Sequence, residues 1–219
     1  MKGLVIFCEG PTEQGFCNRV LYPHLFPTHG GRLHTILIAH SRHHGHVSRG
    51  GVSRRYEAMR RGILDELKGH KGQDFLFTTL IDLYGLPADF PGKDQAIRNP
   101  AEPGGYVQAL EKAFEDDIGD RRFLAHLQLH EYEAMLFAEP ESFRIAFDDC
   151  DREIEEMKQI AASFPTVEHI DDGRATAPSK RIIRLFPAYE GRKTSAGPDI
   201  AEYTGLSLIR GRCPHFSAG

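Results

Sequence analysis

The chain has 219 residues, 40% of them apolar and 26% charged, a balance that excludes a disordered or fibrous protein and permits a buried core. Lysine and arginine number 27 against 31 acids, a net charge of −4, so no global cationic field draws nucleic acid and any such contact must come from local basic patches. Four scattered cysteines (Cys8, Cys17, Cys150 and Cys213) form neither a CxxC pair nor a dense framework, which excludes a disulfide scaffold and points to reduced thiols in a cytoplasmic protein.

The first apolar run, residues 4–8, reads as a buried parallel strand closed by Glu9-Gly10-Pro11. It is far shorter than the ~18 residues of a membrane span, and the N-terminus lacks the h-region and cleavage site of a signal peptide. From Thr12 the period changes: Phe16, Val20 and Leu21 predict a helix that stops near Pro23. A second strand is expected over 33–39, a helix over 54–67 and a third strand over 75–81 ending at Asp82. A further helix over 106–118 and an alternating strand over 123–129 follow.

Strand then helix, repeated in this way, is the pattern of a parallel α/β sheet with right-handed crossovers. Beyond Glu131 the pattern turns helical: 132–137, 140–147, 152–162, 179–185 and 198–211. The expected organisation is an α/β domain over 1–138, a sheet of about four parallel strands flanked by helices, with a helical C-terminal extension over 139–219 packed on it.

Functional groups in open parallel sheets gather beyond the carboxyl ends of the strands, where the crossover loops open. Glu9 follows the first strand, Asp82 ends the third, and Glu131 and Glu133 follow the fourth. Glu13 lies one helical turn after Glu9 and can lean back towards it. Carboxylates that converge repel each other unless a cation sits between them, and oxygen ligands of this kind suit Mg²⁺ or Mn²⁺. A single acid after a strand is equally at home as a helix cap or a solvated loop residue; it is the coincidence at three strand ends that points to a metal.

These residues also carry a resemblance. Glu9-Gly10-Pro11-Thr12-Glu13 resembles the EGxxE opening of TOPRIM domains, the topoisomerase–primase module shared by OLD-type nucleases. Three further stretches begin at Ile81-Asp82-Leu83-Tyr84-Gly85, Leu129-His130-Glu131-Tyr132-Glu133 and Ala177-Pro178-Ser179-Lys180-Arg181. Together the four are similar to a family of small bacterial proteins of unassigned function, a domain-of-unknown-function group with an EGxTE opening regarded as TOPRIM-like. The similarity spans nearly the whole chain.

The resemblance implies a TOPRIM or Rossmann-like fold and a metal-dependent nuclease. Its glutamate matches Glu9, the second acid of EGxxE matches Glu13, and the first acid of the usual Asp-x-Asp pair matches Asp82. The second acid of that pair is replaced by Tyr84, so either Asp89, Glu131 or Glu133 compensates or the metal site is weakened. The acidic motif after the fourth strand maps onto Glu133 in preference to Glu131. On an extended segment Glu131 and Glu133 share a face, whereas on a helix they stand about 200° apart. Phosphodiester hydrolysis would use one or two Mg²⁺ or Mn²⁺ ions with Lys180 as the catalytic cation, a role Lys193 can equally fill.

Two basic stretches could guide a phosphate backbone to this acidic rim. Residues 41–61 carry six arginines, Arg49, Arg54 and Arg55 among them, against the single acid Glu57. Residues 174–193 carry six basic residues, including Arg181 and Lys193, against Glu190. The same charges can equally coat helices and balance the acidic stretches 111–120 and 148–156.

His40, His43, His44 and His46 lack the spacing of a zinc motif and read as a loop contacting ligand or solvent. His130 either orients a ligand and moves a proton or is a satisfied buried histidine. No GxGxxG or Walker loop is present, which disfavours ATP or NAD. Relatives of this kind are often paired with a separate ABC-type ATPase, an implication of the resemblance. Two readings follow: a Mg²⁺-dependent nuclease, or a non-catalytic partner or nucleic-acid-binding subunit.

Overall fold

The computed structural model describes residues 3–26, 30–38, 55–96, 103–170, 173 and 175–219. Arg49, Arg54 and the histidines at 40, 43, 44 and 46 lie outside these residues. The expected α/β architecture is present. Strands β1 (Gly3–Cys8), β2 (Arg32–Leu37), β3 (Phe75–Asp82), β4 (Phe123–Leu124) and β5 (Leu127–Gln128) pair in parallel, in the order β2-β1-β3-β4 with β5 also on β3.

Alternation in β1 explains why the sheet is covered on both sides. Val5 and Phe7 face one cluster, with Met59, Ile63 and Leu67 from α3 (Tyr56–Gly69) and Leu110 and Phe114 from α4 (Pro103–Ile118). Ile6 and Cys8 face the opposite cluster. That second cluster joins α1 (Pro11–Phe16) to the helices after residue 138: Phe143, Ile154 from α5 (Asp151–Ala162), Ile182 from α6 (Pro178–Leu185) and Ile200 from α7 (Lys193–Thr204). The C-terminal helices therefore share their core with the sheet. Each fully buried side chain of this size stabilises the fold by ~1.5–3 kcal/mol.

Three local departures from the sequence pattern have physical causes. The single strand expected over 123–129 is split. Between its halves the Thr79 hydroxyl donates to the His126 carbonyl at 2.7 Å and accepts from the His126 N–H at 3.0 Å, replacing a ladder step with a side chain. The helix expected over 198–211 is two, α7 and α8 (Leu206–Arg212), because Gly205 at φ 82° breaks it. The first helix does not stop at Pro23. It continues from α1 through a wider π turn over Cys17–Leu21 into α2 (Tyr22–Leu25), whose first turn tolerates the missing proline N–H.

A last short helix, α9 (Pro214–Ala218), was not expected from the pattern. All four cysteines are free and buried. Among the described residues no helix is long and apolar enough to cross a membrane.

Candidate functional site

The register of the sheet determines which acids meet. Glu9 continues the β1–β3 ladder, its N–H donating to the Leu80 carbonyl at 3.1 Å. Its side chain then lies across the end of β3, where Glu9 Oε2 accepts the Asp82 N–H at 3.0 Å. Gly85 leaves room for this carboxylate: a Cβ there would stand 3.3 Å from Glu9 Oε1. Asp82 in turn uses Oδ1 to accept the Tyr132 N–H at 2.9 Å, tying the end of β3 to the segment after β5. Glu13, in the first turn of α1, is buried. Glu133 is buried too and meets Lys193 at 3.1 Å.

Five acids from three distant segments thus reach one rim, and their electrostatics reflect it. Burial raises Glu9 to about 7 against the opposing Asp82 N–H, with the charges of Glu133 and Glu131 adding to the rise. Burial likewise raises Glu13 to about 7, assisted by Glu9 and Glu133. Asp82 is pushed well above the carboxylate range by burial and then by Glu9, Glu13, Glu133 and Glu131. Glu133 is raised by burial, with Lys193 pulling it back. Among the described residues Lys193 is the cation that meets Glu133, and burial with mutual repulsion of this kind is the electrostatic condition a bound cation relieves.

The five are not equivalent. Glu131 accepts the Ser179 N–H at 2.7 Å and the Ser179 hydroxyl at 3.1 Å, so both its oxygens cap the start of α6. The Tyr84 hydroxyl also bonds Glu131 and is itself raised by burial first and by that carboxylate second. The residue standing where the resemblance calls for an acid thus engages one instead. Asp89, the other candidate compensator, accepts the Tyr56 N–H at 3.0 Å at the start of α3.

Glu131 and Glu133 fall where the chain passes from extended backbone into a 3-10 turn, Tyr132–Ala138. That transition follows His130, a buried residue held at φ 66°. Two buried hydroxyls beside the acids, those of Tyr132 and Tyr189, have no hydrogen-bond partner. Glu133 and Glu13 both bear on these two phenols, which burial above all raises.

Of the cations expected at the site, Lys193 meets a carboxylate of the rim, that of Glu133. Lys180 is exposed on α6, next to the Ser179 that Glu131 caps. Arg181 donates to the Thr176 carbonyl at 2.6 Å and lies 5.6 Å from the centre of the Phe164 ring. Arg55 is exposed immediately before α3.

Sequence reading missed Ser179, Tyr132 and Tyr189 as neighbours of the acids. It also missed a second group of ligand-type side chains, Glu111, His126 and His215. These have atoms within 4.8 Å of one another, and among the described residues they alone meet that condition. No local spacing could have revealed the group, since 104 positions separate Glu111 from His215.

No curated protein and no solved structure matches the chain. A single family model, described as Domain of unknown function (DUF4276), matches residues 8–218. Nearly the whole chain, from the last residue of β1 to the end of α9, therefore belongs to the DUF4276 family.

Proposed function

We propose that the carboxylate rim binds a hard divalent cation, Mg²⁺ or Mn²⁺, and that the protein is a metal-dependent nuclease of TOPRIM type. The observation that carries this reading is the meeting of Glu9, Glu13, Asp82 and Glu133, four buried or half-buried acids raised by burial and by one another, with Lys193 paired to Glu133. An all-oxygen donor set fits Mg²⁺ or Mn²⁺ rather than a softer ion. Glu9 and Asp82 each spend one oxygen on a backbone N–H, Oε2 and Oδ1 respectively. Those bonds fix both carboxylates and leave Oε1 and Oδ2 for the ion.

When bound, such an ion supplies an activated water and neutralises charge on a phosphodiester. Glu13, held in the first turn of α1 beside Glu9, would be placed to take a proton from a water that such an ion activates. Lys193 balances Glu133 and offers a positive charge for a phosphate oxygen, while Glu131 caps α6, the helix that carries Lys180 and Arg181. Arg49, Arg54 and Arg55 belong to the basic stretch proposed to draw in a phosphate backbone. The substrate class is DNA or RNA, with a separate ABC-type ATPase as a candidate partner in defence or repair.

A second reading is a non-catalytic partner or nucleic-acid-binding subunit. It is favoured by Tyr84 in place of an acid, by the commitment of Glu131 to Ser179, and by a carboxylate set looser than the 4.8 Å grouping of Glu111 and the two histidines.

The test is incubation of the purified chain with labelled single-stranded DNA, duplex DNA and RNA in Mn²⁺ or Mg²⁺. Cleavage that falls at least ~100-fold in Glu9→Gln and Asp82→Asn, with folding intact by circular dichroism, is the expected result. Wild-type protein that binds Mn²⁺ yet cuts nothing supports the second reading. Undiminished cleavage in both variants overturns the first.

A further inference from the structure

Along the β4–β5 side of the sheet, Glu111 of α4, His126 between β4 and β5, and His215 of α9 converge. We propose that these three side chains form a transition-metal site for Zn²⁺ or a similar ion, which fastens the C-terminal helix to the edge of the sheet.

The distances suit that chemistry. Glu111 Oε1 lies 3.0 Å from His215 Nε2 and 3.8 Å from His126 Nδ1. Ligand atoms around a tetrahedral ion with bonds of about 2.0–2.1 Å stand about 3.3 Å from each other. The two imidazole centres are 5.1 Å apart, with ring planes 19° from parallel. Rings that each place a nitrogen ~2 Å from a shared tetrahedral ion have centres about 5 Å apart. Two imidazoles and one carboxylate are a zinc-type donor set, distinct from the all-oxygen set of the rim.

Each ligand is held in place by contacts of its own. The Thr79 hydroxyl pins the main chain of His126 on both sides. Glu168 accepts the N–H groups of His215 and Phe216 at 2.8 and 3.0 Å, fixing the start of α9. Glu111 Oε1 accepts the Leu127 N–H at 2.8 Å. Such outer contacts are what orient metal ligands in established sites.

His126 supplies the strongest sign of a ligand. It is buried, and neither of its ring nitrogens has a hydrogen-bond partner, a rare condition for an imidazole. An ion on Nδ1 satisfies one nitrogen. The neighbouring Gln128, whose Oε1 is also buried without a partner, is placed to accept from the other. Burial holds His126 neutral, at about 4, which is the form that ligates. His215 Nε2 now contacts both Glu111 Oε1 and the Leu127 carbonyl, at 3.0 and 3.1 Å. Metal binding at Nε2 displaces its proton to solvent. A cleft of about 360 Å³ lined by Glu111, His126 and His215 adjoins the group, with Gly219 packed against His126 Nδ1.

The experiment loads the chelator-stripped full chain with Co²⁺ and with Zn²⁺, followed by dialysis, metal analysis and X-ray absorption. Retention of one ion per chain is expected, with tetrahedral Co²⁺ absorption in the visible, two imidazoles in the absorption fine structure and a raised Tm. Glu9→Gln should leave all of this unchanged, so failure at the rim and failure here are separable. His126→Gln and His215→Gln should weaken binding by more than ~100-fold. If either variant fails to fold, the wild-type X-ray absorption decides alone. No retained ion, an oxygen-only shell, or undiminished binding in folded variants overturns the proposal.

Discussion

At the scale of single residues, the acids after the strands divide into those that can receive a ligand and one that holds the architecture. Glu131 is the latter. Its two oxygens serve the N–H and hydroxyl of Ser179 in a buried setting, so Glu131→Ala strands both donors. A loss of about 2–4 kcal/mol is expected, since each unsatisfied buried donor costs ~1–3 kcal/mol, and urea denaturation measures it. A loss below about 0.5 kcal/mol, within the range of ordinary surface substitutions, would remove Glu131 from this structural role. His130 makes a related point. A non-glycine residue at φ 66° next to a cluster of acids is local strain of the kind that collects where a structure aims its functional groups. The dipeptide His130-Glu131 is visible in the sequence; the left-handed turn that lets Glu131 reach Ser179 and Glu133 reach Lys193 is not, because it depends on contacts made by Asp82 and Ser179.

At the scale of elements, the split of the last strand is the most informative departure from the pattern. Phe123, Ala125, Leu127 and Leu129 alternate as a strand should, and the paired residues on either side of the break do lie on β3. The interruption comes from across the sheet, where the Thr79 hydroxyl takes the place of a main-chain partner for His126. Thr79→Val keeps the shape and removes both bonds. It should destabilise the fold by ~2–4 kcal/mol, and amide exchange at His126 and Leu127 should accelerate before global unfolding does. Exchange no faster there than in β1 would show that the hydroxyl is dispensable. Helix packing tells a similar story at Gly15, where a Cβ would stand 2.7 Å from Pro198 Cγ: α1, which carries Glu13, approaches α7 that closely only because residue 15 has no side chain.

At the scale of the whole molecule, the acidic rim ties stability to pH. Glu9 and Glu13 titrate near 7 in the folded protein against 4.5 as the ordinary value. A carboxyl raised on folding stabilises the native state fully below the unfolded value, and that contribution disappears as pH rises through the folded one. The metal-free protein should therefore lose stability between about pH 4.5 and 7. Every tenfold gain in a carboxylate's proton affinity on folding is worth ~1.4 kcal/mol, before the mutual repulsion of the acids is counted. Thermal unfolding across pH 5 to 8 in chelator measures this. Millimolar Mg²⁺ should flatten or reverse the slope, because a bound cation favours the ionised carboxylates. A slope unaffected by Mg²⁺ would leave the rim as a buried acidic cluster without a metal.

The sequence by itself determined the parallel α/β class, the alternation of strands and helices through the sheet, and the placing of Glu9, Asp82, Glu131 and Glu133 at or just after strand ends. Those follow from apolar periodicity and from where crossover loops must open, both local properties of the chain. Tertiary structure alone decided that Glu131 caps α6, that Lys193 rather than Lys180 meets the acids, and that Glu111, His126 and His215 come together. Each of these is a meeting of side chains far apart along the chain, governed by packing on the two faces and edges of the sheet, and no spacing rule along a sequence encodes such a distance.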